Sequence, residues 1–473
     1  MKMYIDGREV DSPEMTPVVS PYTGETFECI PQATPEQVEQ ALAASVRGAA
    51  AMGHLTGYER SLILMRAADL LAAQVEDIAH TISLEEGKPL VESRGEVGRM
   101  PDLLRLCAFE GSQVRGETLP VDAQSGVRGK LAFTLRIPCG VVVAITPFNY
   151  PLLLVLHKVG PALAAGNAVI LKPASQAALT ALKLTDIFRR AGLPENGLQC
   201  ITGPGSMIGM KLCSDSRVRK ISFTGSTTVG RAITQVAGVK KLSLELGSNA
   251  PLIVLRDADI AQAAEATAAG GYVNAGQVCI STQRILVEKE MYGDFLDALR
   301  PSVEAIKVGD PLDEGTRLSA MVCEKEAERV GAWIEKAVRE GARVITGGKR
   351  DRAVFAPTIV ADVKPDMRIS REELFGPVVA VTPVDDVDRA IELANDSQYG
   401  LSSGIYTRDI SRALKFALKA DTGNVMINWN PLWRADLMPY GGLKQSGIGK
   451  EGPRYAIKEM TELKTVVVHG IEA

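Results

Sequence analysis

At 473 residues the chain is long enough for two or three domains of ordinary size. With 46% hydrophobic and 23% charged residues it is no disordered chain, and 53 basic against 57 acidic residues, a net charge of −4, leave no broad basic field for nucleic acid or an anionic membrane. No apolar run approaches the ~18 residues of a membrane span, the N-terminus carries no hydrophobic signal segment, and seven scattered cysteines in so large a chain read as reduced thiols in a cytoplasmic protein.

The first predicted element is a helix after Thr34, with Thr34 as N-cap, Pro35 at the first helical position and Gln37 as the capping-box partner. A second helix is expected over about 58–78, with Leu62, Leu64, Met65, Ala68 and Leu71 on its apolar side, and further helix through Leu84 and again from Arg94 to Gly111. From residue 141 short β-branched runs alternate with helices. Strands are expected at 141–145, 168–171, 198–201, 220–223 and 242–244. Helices should fill 157–165, 177–191 and 227–236, with a short one after Ser206. Continuous apolar strands separated by helices predict an α/β fold, with a doubly wound parallel sheet covered on both faces and its ligand at the carboxyl ends of the strands. A second α/β region should run from about 251 to 428. Residues 128–136 and 463–469 read as strands outside either core, available to pair as an arm between subunits.

The chemistry-bearing residues lie on this frame. The run Gly203-Pro204-Gly205-Ser206-Met207-Ile208-Gly209 has one residue too many before its last glycine for a standard dinucleotide fingerprint, and reads equally as a strand-to-helix turn. Phe223-Thr224-Gly225-Ser226-Thr227-Thr228-Val229-Gly230 ends a strand and opens a helix, so its backbone N–H groups and the Ser226 hydroxyl suit a pyrophosphate. Cys279 lies in the small-residue stretch Asn274-Ala275-Gly276-Gln277-Val278-Cys279. Glu245 ends a strand, and Asn149 follows one in Thr146-Pro147-Phe148-Asn149-Tyr150-Pro151. Singly these read as a buried thiol, a paired carboxylate and a turn asparagine. Together they make a nucleophile, a general base and an amide donor for an oxyanion, the set that acyl-enzyme chemistry requires.

With those residues in view the sequence resembles the aldehyde dehydrogenases over essentially its whole length. The matching motifs, in the family's order, are Pro147-Phe148-Asn149-Tyr150-Pro151, Lys172-Pro173-Ala174, Phe223-Thr224-Gly225-Ser226, Glu245-Leu246-Gly247, Gly276-Gln277-Val278-Cys279, Glu373-Leu374-Phe375-Gly376-Pro377 and Pro439-Tyr440-Gly441-Gly442. The resemblance implies that Cys279 attacks the aldehyde, that Asn149 with the Cys279 backbone N–H steadies the oxyanion, and that Glu245 activates the water that hydrolyses the resulting thioester. It implies NAD or NADP as cofactor. Lys172 would contact the adenosine ribose, Glu373 the nicotinamide ribose and Phe375 the nicotinamide end, with Gly225, Ser226 and Gly230 beside the pyrophosphate. Pro147, Phe148, Ser175 and Gly205 are counted with them.

Three departures qualify the match. Ser175 stands where many NAD-preferring relatives carry a glutamate that would repel a 2′-phosphate, and Thr228 replaces another acid, so use of both NAD and NADP is expected. Ser248 follows Glu245-Leu246-Gly247 where glycine is usual. Retention of Glu245 favours hydrolysis over transfer of the acyl group to coenzyme A. That transfer, and a catalytically silent binding protein on the same fold, are the alternatives.

The loop 428–436 resembles the branch that oxidises lactaldehyde, glyceraldehyde 3-phosphate (without phosphorylation), phosphonoacetaldehyde and sulfonated aldehydes. Arg434, Arg99 and Arg105 are candidates to hold an anionic tail. The expected layout is a dinucleotide-binding domain over 1–119 and 138–246, a catalytic domain over 247–440, and an oligomerisation arm and tail over 120–137 and 441–473, in a homodimer or homotetramer. The four histidines, His54, His80, His157 and His469, show no metal-ligand spacing, so no metal is expected.

Overall fold

The computed structural model describes residues 1–470. Its first sheet has eight strands in the order Arg8–Val10, Met3–Ile5, Leu198–Cys200, Ala168–Lys172, Val141–Ile145, Val218–Thr224, Lys241–Glu245, Gly447–Ile448. The five central strands run parallel, and the outer ones join antiparallel. Alternate residues of each strand point to opposite faces. Val142 and Ala144 pack under the helices Leu153–Ala164, Ala178–Arg190, Gly57–Ala72 and Met100–Ser112. Val141, Val143 and Ile145 pack under Pro35–His54 and Thr227–Val236. Both faces are dry, which is why the strands read as unbroken apolar runs.

The second sheet has the order Arg343–Thr346, Thr358–Ala361, Val378–Val384, Arg284–Glu288, Pro251–Val254, Ser402–Tyr406, Asn424–Ile427, and only its first pair is antiparallel. A third sheet pairs Thr461–His469 with Lys130–Pro138 residue for residue, antiparallel, with Thr118–Leu119 at its edge. The two strands foreseen outside the cores therefore find each other within one chain. No helix among the described residues is long and apolar enough to cross a membrane.

The structure corrects three expectations. The helix expected over 58–78 is two helices, Gly57–Ala72 and Val75–Glu86. The Gln74 side chain donates to the Leu70 carbonyl, closing the first helix by a polar contact that hydrophobic periodicity does not register. The segment after 440 does more than complete the arm. Gly447–Ile448 adds a strand to the first sheet, and the helix Pro453–Glu459 packs on Leu153–Ala164 and Met100–Ser112 before the chain reaches the arm. The short helix expected after Ser206 opens as a wide turn, Gly205–Gly209, that runs into Met210–Ser214.

Candidate active site

Register aligns the ends of the parallel strands in one row: Lys172 beside Ile145, Ile145 beside Phe223, and Thr224 beside Glu245. Lys172 and Glu245 are the last residues of their strands, and Asn149 lies four residues beyond Ile145. All three are buried at the carboxyl edge of the sheet.

The loop that carries Cys279 follows the helix Ile260–Gly271 and passes through three consecutive left-handed residues, Asn274 (φ 50°), Ala275 (φ 52°) and Gly276 (φ 68°). Only a glycine fits the third position, because a Cβ there would lie 2.0 Å from the Gly376 carbonyl oxygen. At Asn274 the strained backbone is held by polar contacts. The Asn274 N–H donates to Glu92 Oε2 at 2.8 Å, and its Nδ2 donates to Glu86 Oε1 at 2.6 Å and to the Asn149 carbonyl at 2.9 Å. Lys88 Nζ donates to the same Asn149 carbonyl at 2.6 Å and to Glu96 Oε2 at 2.7 Å, and sits 4.0 Å over the Tyr150 ring. Held from behind in this way, Asn149 donates through Nδ2 to the Gln277 carbonyl at 2.7 Å, two residues before Cys279.

Cys279 is half-buried, and its Sγ lies 3.2 Å from the Tyr440 hydroxyl. Burial pushes its thiol up to about 12, an effect the Tyr440 hydrogen bond opposes. Cys279, Asn149, Tyr150, Leu153, Leu154, Val278, Ile280, Leu432, Trp433, Arg434, Tyr440 and Arg99 line a cavity of about 280 Å³.

Glu245 lies beside Gly441, where a Cβ would come 2.7 Å from its Oε1, and its Oε2 has no hydrogen-bond partner. Burial raises its carboxyl well above the usual carboxylate range, and the charge of Glu451 raises it further. Glu451 is the opposite case. Burial alone would raise it, but Lys158 at 2.9 Å and Arg434 at 3.1 Å hold its carboxyl below the usual range. Of two buried carboxyls near the same two cations, the one that pairs with them directly is lowered and the other is raised.

At the far end Lys172 has no charged partner, and burial alone lowers its ammonium to about 8. Gly205 stands next to it, with its Cβ direction 3.6 Å from Nζ. The hydroxyls of Thr146 and Thr224, just past and at the ends of neighbouring strands, are buried without partners. Gly225 lacks a Cβ where one would lie 2.5 Å from the Phe223 ring, and Gly230 where one would meet Leu246 at 2.4 Å. Ser226 caps the helix Thr227–Val236, accepting from the Val229 N–H at 3.4 Å. Glu373 accepts from the Ser248 N–H at 2.8 Å, so the unusual Ser248 leaves that backbone contact intact, and burial raises the Glu373 carboxyl to about 7. Phe375, itself left-handed at φ 52°, meets Phe148 edge-on with ring centres 6.1 Å apart. Ser175 donates to the Gly203 carbonyl at 3.2 Å.

Of the catalytic set expected from the sequence, Cys279 and Asn149 line this cavity, whereas Glu245 lies outside its lining, near enough for its charge to act on Cys279. The three arginines diverge. Arg99 lines the cavity, half-exposed and 3.8 Å from Asp436. Arg434 lines it too but is committed to Glu451 and lies 3.9 Å over the Tyr440 ring. Arg105 is outside the lining, held by Asp69 and Asp102 at 2.9 and 3.0 Å. Sequence reasoning missed Lys88, Glu86, Glu92, Glu96, Lys158 and Glu451. The one trace of the first group is the cluster Glu85-Glu86-Gly87-Lys88 followed by Glu92 and Glu96, which looks like an ordinary solvated stretch until burial is known.

Residues 8–466 match the aldehyde dehydrogenase family. The chain belongs to that family and is an NAD(P)-dependent oxidoreductase that acts on aldehydes. It is 44% identical over 467 residues to a 3-sulfolactaldehyde dehydrogenase of Priestia aryabhattai, covering 99% of this chain and 98% of that protein. A lactaldehyde dehydrogenase of Methanococcus aeolicus is 38% identical over 471 residues, with 99% and 100% covered. Among solved structures, the NADP-dependent glyceraldehyde-3-phosphate dehydrogenase of Bacillus halodurans, complexed with NADP, superimposes with a TM-score of 0.97 at 35% identity, covering 99% of each chain. The cofactor such enzymes use fits the residues present here: a buried lysine without a counter-anion, two unpartnered hydroxyls and a cradle of glycines at the strand ends.

Proposed function

We propose that this enzyme oxidises a small polar aldehyde, α-hydroxylated or carrying an anionic tail, to its carboxylic acid through a thioester on Cys279. The observation that carries the reading is the cavity in which Cys279 and Asn149 share one small, otherwise mostly apolar lining with Arg99 at its edge. A volume of about 280 Å³ accommodates an aldehyde of a few carbons with its polar substituents. The names of the relatives, 3-sulfolactaldehyde and lactaldehyde dehydrogenases, support the same substrate class.

In this mechanism the Cys279 thiol first gives up its proton to solvent, the thiolate sulfur then adds to the aldehyde carbon, and the carbonyl electron pair moves to oxygen. Asn149 Nδ2 turns from Gln277 to donate to that oxygen. Lys172, Ser175, Gly205, Gly225, Ser226, Gly230, Glu373, Phe375, Pro147 and Phe148 would hold NAD or NADP, whose nicotinamide supplies the hydride acceptor. Glu245 then takes a proton from the water that attacks the thioester, and Cys279 leaves as thiolate. Its raised carboxyl must first ionise, a step that the cations Lys158, Arg434 and Lys450 favour.

Arg99 is the best-placed arginine for an anionic tail, because its guanidinium is only loosely engaged. A homodimer or homotetramer is supported by the nine-residue edge strand Thr461–His469, where Leu463, Val467 and Val468 are exposed. A cytoplasmic setting is supported by seven unpaired cysteines.

Initial rates with NAD and NADP across lactaldehyde, glycolaldehyde and phosphate-, phosphonate-, sulfonate- and carboxylate-tailed aldehydes, with and without coenzyme A, test this reading. The expected result is acid as product and a marked preference for short polar aldehydes. A preference for one anionic tail that Arg99→Ala weakens about tenfold or more would fix the clamp. An acyl-coenzyme A product, or a preference for long apolar aldehydes, overturns the assignment.

A further inference from the structure

We propose that the Tyr440 hydroxyl is a catalytic hydrogen-bond donor to the Cys279 sulfur, and that Arg434 serves to hold and polarise the Tyr440 ring rather than to grip substrate. The proposal rests on Cys279 being the nucleophile. Tyr440 Oη lies 3.2 Å from Cys279 Sγ, and the phenol ring is buried. A thiol can donate or accept, but a thiolate can only accept, so once the sulfur carries charge the direction of this hydrogen bond is fixed from Tyr440 to Cys279. Few groups nearby favour the charged sulfur. Glu373 and Glu245 oppose it, whereas Arg434 and the Tyr440 hydroxyl support it.

The geometry behind the tyrosine is closed on itself. The backbones of Tyr440 and Glu451 form an antiparallel bridge, with N–H to carbonyl distances of 3.2 and 2.7 Å. The Glu451 carboxylate holds Arg434 at 3.1 Å, and the Arg434 guanidinium carbon lies over the Tyr440 ring, 3.9 Å from its centre. A cation on the face of a phenol is drawn to its electrons and makes the hydroxyl a stronger donor. The titratable groups that act most on Tyr440 are Cys279, Arg434 and Glu245, of which Arg434 is the cation, and Lys450 is bound at the neighbouring Gly441 carbonyl. An arginine with its charge neutralised by Glu451 and its face covered by a ring has little left for a substrate anion, although its Nε remains unpartnered.

The donor serves twice. As the sulfur pair forms the S–C bond, the C=O pair moves to oxygen and the sulfur loses its charge. When water later adds to the thioester with its proton passing to Glu245, the S–C bond breaks and the pair returns to sulfur, which Tyr440 again solvates. Tyr440 loses no proton in either event.

Tyr440→Phe keeps the ring and its stack and removes only the donor. The test is the rate of iodoacetamide alkylation against pH, without cofactor, read at the Cys279 peptide by mass spectrometry because Cys29 and Cys323 are also exposed. The variant should show an unchanged melting transition and a Cys279 rate lowered about tenfold at each pH, the effect of about one unit in the thiol. Profiles that coincide within about twofold overturn the donor role. Arg434→Lys, which keeps the cation but loses the stacked plane, should lower the same rate by less and reduce kcat while the aldehyde KM stays within about threefold. A KM rise confined to anionic aldehydes overturns the ring-holding role and returns Arg434 to the substrate. Failure of the nucleophile reading itself looks different, since labelling Cys279 would then leave turnover intact.

Discussion

Lys88 and Lys172 are both buried lysines at the carboxyl edge of the sheets, and they are handled in opposite ways. Lys88, at the reacting end, is 2.7 Å from Glu96 and 3.3 Å from Glu86, and the Asn149 carbonyl completes its shell. Burial alone would lower its ammonium, but the two carboxylates more than offset this and raise it. Lys172, at the cofactor end, has no such partner, and burial lowers it to about 8. A fully paired buried cation is part of the scaffold, whereas one left unpaired is kept for an anion or polar group that comes and goes. The Cys279 end is thus held in a preorganised ionic frame, whereas the Lys172 end leaves a buried cation without a counter-charge.

The largest effect should come from the reacting end alone. Cys279→Ala should lower aldehyde oxidation by about 10⁴-fold or more while cofactor binding, followed by fluorescence quenching, stays near normal. Loss of both would mean that the two ends are not separable. Glu245→Gln should give a single burst of reduced cofactor and then a steady rate slower by about 10²-fold or more. Because the Glu245 carboxyl is raised by burial, the wild-type steady rate should climb with pH as that group ionises, and the variant should lack this rise.

Lys88→Met tests the frame itself. It strands Glu86 and Glu96 in the interior and should destabilise the fold by about 3–5 kcal/mol in denaturant titration. Lys172→Met should cost almost no stability, and should raise the KM for NADP about tenfold. In the wild type the NADP KM should rise as pH passes about 8, where Lys172 gives up its proton, and the NAD KM should respond less. Equal stability losses in the two lysine variants would break the comparison.

The cofactor end was the more legible in sequence. Its residues belong to local strand–turn–helix units, and the helix expected over 227–236 forms at those bounds, with Ser226 as its cap. Local units carry their signals within a few residues, in apolar runs, glycines and caps. Asn149, Glu245 and Cys279 were legible as a proposed set only through a coincidence of three motifs, since they come from separate elements. The pairing frame was not legible at all. Lys158 meets Glu451 across 293 residues, and Tyr440 meets Cys279 across 161. Nor did the sequence separate the three arginines, which carry the same charge but face a cavity, an aromatic ring and a pair of exposed carboxylates.

By itself the sequence determined the two-sheet α/β architecture, the two strands outside its cores, and the motifs carrying Cys279, Glu245 and Asn149 that mark the family. Tertiary structure decided how those groups are charged and held. It raised the Glu245 carboxyl and lowered that of Glu451, put the Tyr440 hydroxyl 3.2 Å from the Cys279 sulfur, and paired Arg434 with Glu451 while leaving Arg99 half-exposed at the cavity. The physical reason is that strand and turn formation depend on neighbours in the chain, whereas ionisation and charge pairing depend on burial and on partners hundreds of residues away.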